Sequence, residues 1–270
     1  VTADQVVAVD WSGRADAAGQ RRAIWTAVAR GGGLAELRDG RDRREAVDHL
    51  IRLARATPAT VAGLDFAFSW PAWYLDARGL RDPAATWSHA GELALLRGRD
   101  LPRPFWGANV RPKAEAGLGR RPVYRATERA AIAAGAGVRS TFQAGGNGTV
   151  GLQSIRGMAH LGELRAAGVR VWPFDDAPPG RPLALEIFPR MLARSLVQGA
   201  RSTGAAFRAE VLEAVADDLG DHRATMLGNQ DAFDAGISAI VMWRRRRELA
   251  GLRAGTGAHA REGRIWGVAA

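Results

Sequence analysis

Three short apolar runs in this chain end on a single acid, and a fourth stretch carries two. The runs are Val6-Val7-Ala8-Val9-Asp10, Thr60-Val61-Ala62-Gly63-Leu64-Asp65 and Leu183-Ala184-Leu185-Glu186, followed by the helical pattern Asp231-Ala232-Phe233-Asp234-Ala235. A carboxylate inside a buried apolar segment is costly unless something positive neutralises it. Acids spread over the whole chain in this way point to one shared site. The simplest common partner for converging carboxylates is a divalent metal ion.

Periodicity around these runs predicts an α/β fold. A strand over 5–10 leads through a polar loop, Trp11 to Gln20, into a second strand over 21–30, and a third is expected near 33–39. Residues 42–56 place Ala46, Val47, Leu50, Leu53 and Ala54 at helical spacing, and Pro58 follows as a stop. The run 60–68 has few polar groups, as suits a central parallel strand. From 72 to about 125 the pattern is irregular, with one helix expected around 89–97. Further helices are expected over 126–135, 152–167, 190–199, 205–216 and 229–250, and strands over 169–173, 183–188 and 265–268. The order predicts a mixed sheet with helices on both faces, in a single domain over 1–270 with an insertion at about 72–182.

With no cysteine in 270 residues, disulfides, thiolate zinc sites and cysteine nucleophiles are excluded. Any metal must then be held by oxygen or imidazole, and oxygen ligands favour Mg²⁺ or Mn²⁺. The net charge is +10, carried almost wholly by arginine, with Lys113 the one lysine. An arginine excess of this kind also accompanies a GC-rich genome, but beside an acidic site it fits a phosphate-bearing partner, DNA or RNA. No apolar run approaches ~18 residues, so no membrane span is expected. The N-terminus lacks Met and shows no basic-then-apolar stretch, so a processed chain without signal peptide, in the cytoplasm, is the expectation.

Each acid also has a plainer reading. Asp10 precedes Trp11-Ser12-Gly13 and can close an Asx-type turn. Asp65 lies between Leu64 and Phe66-Ala67-Phe68, where a turn role fits poorly, leaving a buried aspartate bonded to backbone as its alternative. Asp231 and Asp234 share a helix face; Asp231 is also a possible helix cap after Asn229-Gln230. Glu186 alternates with Leu185 and Ile187, and a pair with Arg190 would explain it without a metal.

First-strand Asp, later-strand Asp and a final helix with Asp-x-x-Asp together match the RNase H-like arrangement. The Asp231–Ala235 segment resembles the start of the last helix in RuvC-type Holliday-junction resolvases. Nearly the full chain resembles domain-of-unknown-function family 429, predicted RNase H-like nucleases. The likeness is carried by Val7–Asp10, Gly63–Asp65 with Trp70-Pro71, Gly145-Gly146 through Val150-Gly151 with Ser154–Gly157, Glu186–Pro189 and Asp231–Ala235. The resemblance implies a five-stranded mixed sheet, with Asp10 on the first strand, Asp65 on its neighbour and Asp234, helped by Asp231, brought over the sheet by the last helix. It implies phosphodiester hydrolysis with two Mg²⁺ or Mn²⁺ ions about 3.5–4 Å apart. Asp10 would bridge both ions, Asp65 and Asp234 would bind one each, and Asp231 and Glu186 would support them.

Within the insertion, Arg111, Lys113, Arg120, Arg121 and Arg156 are candidates for holding a phosphate backbone. The interleaved tryptophans suit stacking on single-stranded bases, although filling the core is the plainer role for them. His222 precedes Asp231 at a position where RNase H relatives sometimes place a histidine. Two other function classes remain open on the sequence. One is a nucleotide-binding phosphotransferase of the actin-like ATPase type, with Asp10–Gly13 as a phosphate loop, which would need a duplication the chain lacks. The other is a non-catalytic nucleic-acid-binding module with a degenerate site.

Overall fold

The computed structural model describes residues 2–146 and 150–269. Its strands are β1 (Gln5–Asp10), β2 (Trp25–Arg30), β3 (Gly33–Arg38), β4 (Thr60–Leu64), β5 (Arg170–Val171) and β6 (Leu183–Glu186). Its α-helices are α1 (Ala17–Ala23), α2 (Arg43–Ala56), α3 (Ala72–Ala77), α4 (Pro83–Ala94), α5 (Ala126–Ala133), α6 (Gly151–Met158), α7 (Leu161–Ala166), α8 (Pro189–Leu196), α9 (Gly204–Ala214), α10 (Arg223–Gly228), α11 (Gln230–Arg244) and α12 (His259–Glu262). No helix among the described residues is long and apolar enough to cross a membrane.

The chain forms two compact units. The first comprises 1–65 and 177–252; the second comprises 66–176 and 253–270. The expected insertion over about 72–182 thus corresponds to most of the second unit, which also takes in the C-terminal segment.

The α/β sheet is mixed and has six strands, of which five lie in the first unit in the order β3-β2-β1-β4-β6. The sixth, β5, is only two residues long and belongs to the second unit, so the count is one more than the resemblance implies. β1 pairs antiparallel with β2 and β2 with β3, whereas β1–β4 and β4–β6 are parallel. All five residues of β4 are buried, as a strand with neighbours on both sides and helices on both faces requires.

The two faces of this sheet follow from register. Gln5 is paired with Thr60, and its Nε2 donates to Thr60 Oγ1 at 2.7 Å and to the Leu53 carbonyl of α2 at 3.4 Å. One face, carrying Gln5, Val7, Val9 and Leu64, therefore lies under α2. On the other, Gly63 is paired with Ala8, and a Cβ on Gly63 would lie 2.5 Å from Met242 Sδ of α11. Helix α11 covers that face, resting on β1 and β2. Its residues from Ala235 to Met242 are all buried, which leaves its first turn to hold the half-buried acids.

Some expected elements differ in extent. Residues 17–23 are the helix α1 rather than the end of a polar loop and the start of a strand. Asp16 caps it by accepting the Gly19 N–H at 2.6 Å, a local signal that overrides the strand-like residues behind it. The segment 152–167 is split into α6 and α7, and β4 stops at Leu64 instead of running to 68. Residues 265–268 make a turn closed by Val268 N–H on the Ile265 carbonyl at 3.3 Å, not a strand.

The second unit is held by aromatic packing and one buried ion pair. Trp70, Tyr74, Phe105 and Phe142 meet edge to face at 5.3–6.1 Å. Arg125 and Glu128, both buried, pair at 3.0 Å. Glu262 accepts the Ala72 N–H at 2.7 Å and the Ala126 N–H at 2.6 Å, which ties the C-terminal segment into this unit.

Candidate carboxylate site

The parallel ladder sets Asp10 and Asp65 side by side. Val9 is in register with Leu64, and one step past β4 the Asp65 N–H donates to the Val9 carbonyl at 3.1 Å. Asp10 and Asp65 each stand two residues beyond the Ala8–Gly63 pair. Strand alternation therefore puts both on the α11 face. The first turn of α11 supplies the other two acids. Asn229 caps the helix, its side chain accepting the Ala232 N–H at 3.0 Å, so Asp231 is not the cap. Asp231 and Asp234 lie three residues apart on one side of the helix, between the buried Ala232, Phe233 and Ala235.

Electrostatics show how closely the four acids are associated. The Asp10 carboxyl is held well above the usual carboxylate range, first by burial, then by the charges of Asp65, Asp234 and Asp231, and by a side-chain hydrogen bond with Asp65. Every leading influence on it acts in that direction. A carboxyl can donate to another carboxyl only when it is protonated, so the contact with Asp65 favours the protonated form of Asp10. By accessible surface Asp10 is half-buried, yet protein atoms crowd its carboxyl. The crowding governs its charge.

Asp234 is pushed from 3.8 to about 6, chiefly by burial. Gln230 opposes this by donating from Nε2 to Asp234 Oδ2 at 3.0 Å, as do the charges of Arg208 and Arg190, while Asp231 adds to it. Asp231 is raised by burial, against the pull of Arg14.

Arg14 lies in the loop that follows β1, and this loop is stapled from α2. Arg43 Nη1 donates to the Ser12 carbonyl at 3.1 Å and the Arg14 carbonyl at 2.7 Å, and the Arg14 N–H donates to Ser12 Oγ at 3.2 Å. Arg14, Arg43, Arg208 and Gln230 are not among the residues singled out from the sequence, and Arg190 enters there only as a possible partner of Glu186. Gln230, four residues before Asp234 on the same helix face, was readable from spacing; the arginines become relevant only through the fold.

Among the described residues, no three His, Asp or Glu side chains are arranged to hold one ion. The donor chemistry nonetheless fits a hard divalent cation. The ligands are carboxylate oxygens, and their mutual repulsion, visible in the raised Asp10 and Asp234, is what a cation relieves. Binding one requires the carboxylates to draw together.

Glu186 is not brought to this group. It is in register with Leu64, which is paired with Val9, so alternation directs it to the α2 face, opposite Asp10 and Asp65. Among the described residues no ion pair joins Arg190 to Glu186, and the Arg190 charge acts on Asp234.

The basic candidates belong to the second unit. Arg111 is committed to structure, donating to the Phe105 carbonyl at 2.7 Å and the Leu101 carbonyl at 2.6 Å. Lys113 sits over the Trp106 ring at 5.3 Å and Arg121 over Trp73 at 4.9 Å, with both cations exposed. Arg156 is buried on α6, and its pKa is lowered by that burial. Arg120 is exposed. Seven of the nine tryptophans are buried, so most serve the core. Of the glycine-rich connection Gly145–Gly151, residues 147–149 lie outside the described residues. In comparisons with known proteins, no family model, curated protein or solved structure matches the chain.

Proposed function

We propose that the protein is a metal-dependent nuclease of RNase H-like type, hydrolysing phosphodiester bonds of DNA or RNA at Asp10, Asp65, Asp234 and Asp231. The observation that carries this reading is the set of influences on Asp10: three other carboxylates raise its pKa together, one of them through a hydrogen bond. A buried cluster of like charges is unfavourable by itself, and such clusters persist where they bind a cation or share protons. The sheet supports the reading as well. It is mixed, and acids stand at the ends of β1 and of its parallel neighbour β4, in keeping with the mixed sheet and neighbouring aspartates that the family resemblance implies.

A bound Mg²⁺ or Mn²⁺ supplies an activated water and neutralises charge on the phosphodiester. Asp10 and Asp65 would be the central ligands, because the ladder fixes their backbones side by side. Asp234 would complete the set from α11, and Asp231 would assist. In the metal-free protein the contact with Asp65 favours the protonated form of Asp10, and a cation competes with that proton. Gln230 orients Asp234, and Arg14 lies near Asp231 on the staple formed by Arg43. The test is cleavage of single-stranded, duplex and branched substrates with Mg²⁺ or Mn²⁺. Asp10→Asn and Asp65→Asn are expected to abolish it while circular dichroism and melting show a folded protein. Absence of cleavage on every substrate with both ions would refute the reading.

A further inference from the structure

A cavity of about 290 Å³ opens beside Asp234 in the first unit, between α8, α9 and the start of α11. Arg190, Arg194, Thr203, Phe207, Gln230 and Asp234 are among its lining residues. We propose that this cavity binds one nucleotide of a single nucleic-acid strand, with its phosphate on Arg190 and Arg194 and its base on Phe207. The assignment rests on the nuclease reading for its ligand class, and it adds the residues that hold the strand.

Size, charge and commitment of the side chains all favour such an occupant. Roughly 300 Å³ is the lower end for small-ligand pockets, enough for one nucleotide and too little for paired bases. Arg190 is exposed and, among the described residues, has neither a hydrogen bond nor an ion pair, yet its charge reaches Asp234. The exposed Arg194 makes one long bond, Nη1 to the Ala200 carbonyl at 3.3 Å, and stacks its guanidinium over Phe207 at 5.2 Å. Both retain N–H groups for a phosphate. Arg208 nearby differs: its Nε donates to the Leu227 carbonyl and its Nη1 to Gln230 Oε1, each at 2.9 Å, so it serves as scaffold for Gln230. Two available guanidiniums against the single carboxylate of Asp234 leave the lining positive. Phe207 is half-buried, braced by Phe233 at 6.4 Å, and offers an aromatic surface to a base.

The test is binding of a fluorescent single-stranded oligonucleotide, followed by anisotropy in EDTA so that the readout needs no cleavage. Arg190→Gln and Arg194→Gln are each expected to weaken binding roughly tenfold and to reduce the slope of log K against log salt by about 0.7, the share of one single-strand phosphate. Phe207→Leu keeps the bulk and removes the ring; binding should weaken roughly tenfold with the slope unchanged. Arg55→Gln removes the same charge from an exposed position on α2 and should change neither quantity. The proposal is overturned if wild type does not bind, if the cavity variants bind like wild type, if Arg55→Gln loses as much, or if a nucleoside monophosphate binds as tightly as the strand. The nuclease reading fails separately. Binding lost in the cavity variants of a protein that never cleaves would leave the cavity standing without it. Cleavage with unchanged kcat and KM in those variants would do the reverse.

Discussion

Asp65 and Asp10 are hydrogen-bonded through their side chains at the ends of two neighbouring parallel strands, on the face covered by α11. Their backbones are held by the sheet ladder, which keeps the two side chains on one face, where their contact favours a proton on Asp10.

Protonation of this cluster therefore contributes to the stability of the metal-free protein. Asp234 has a folded pKa of about 6 against 3.8 for the free side chain, so between those values the folded state binds more protons than the unfolded chain. The favourable contribution is full below about 3.8, declines as pH rises through this window, and is gone above about 6; Asp10 acts in the same direction. In EDTA at neutral pH, Asp234→Asn is expected to stabilise by about 1–3 kcal/mol, and its advantage over wild type should shrink on acidification. Thermal melts of both proteins across this window check it; an advantage that grows towards acid pH would contradict it.

Gly63 keeps α11 close to the strands that carry the acids. A Cβ there would lie 2.5 Å from Met242 Sδ and 2.9 Å from Ile187 Cγ2. Gly63→Val is expected to cost roughly 1–3 kcal/mol by overpacking and to weaken Mn²⁺ binding by displacing Asp231 and Asp234. Met242→Ala in the same chain should recover part of both losses. Calorimetric Mn²⁺ titration and melting of the single and double variants measure this; no recovery in the double variant would mean that α11 does not couple to Gly63 in this way.

Arg43 positions the loop after Asp10 through two carbonyls at once. Arg43→Ala should destabilise by roughly 1–3 kcal/mol, since two carbonyls lose a charged donor. Arg43→Lys, lacking the planar fork, should recover less than half of that loss. Full recovery by lysine in denaturant melts would show that charge alone suffices.

Glu186 faces the α2 side, so its effect should separate cleanly from that of Asp65. Glu186→Gln is expected to leave Mn²⁺ affinity unchanged, whereas Asp65→Asn should lower it by more than roughly tenfold. Equal losses by calorimetry would place Glu186 in the site after all.

The sequence carried the site further than the fold around it. Apolar runs ending in acids located Asp10 and Asp65 because a buried strand leaves a carboxylate few other roles, and helical spacing paired Asp231 with Asp234. Glu186 illustrates the limit: its strand was legible, but which face it takes depends on register with β4, a long-range pairing that no local pattern encodes. Helix α1 was hidden because its signal is a single cap, Asp16, before a weakly patterned segment. The roles of Arg14, Arg43 and Arg190 depend on tertiary placement, and in a chain with 38 basic residues their type alone distinguishes none of them.

The most direct test of the metal-site claim is anomalous diffraction from crystals soaked in Mn²⁺. One or two anomalous peaks are expected within coordination distance of Asp10, Asp65 and Asp234, about 2.0–2.2 Å from their carboxylate oxygens, and none near Glu186. Well-occupied Mn²⁺ elsewhere, with none at Asp10 and Asp65, would contradict a metal site there.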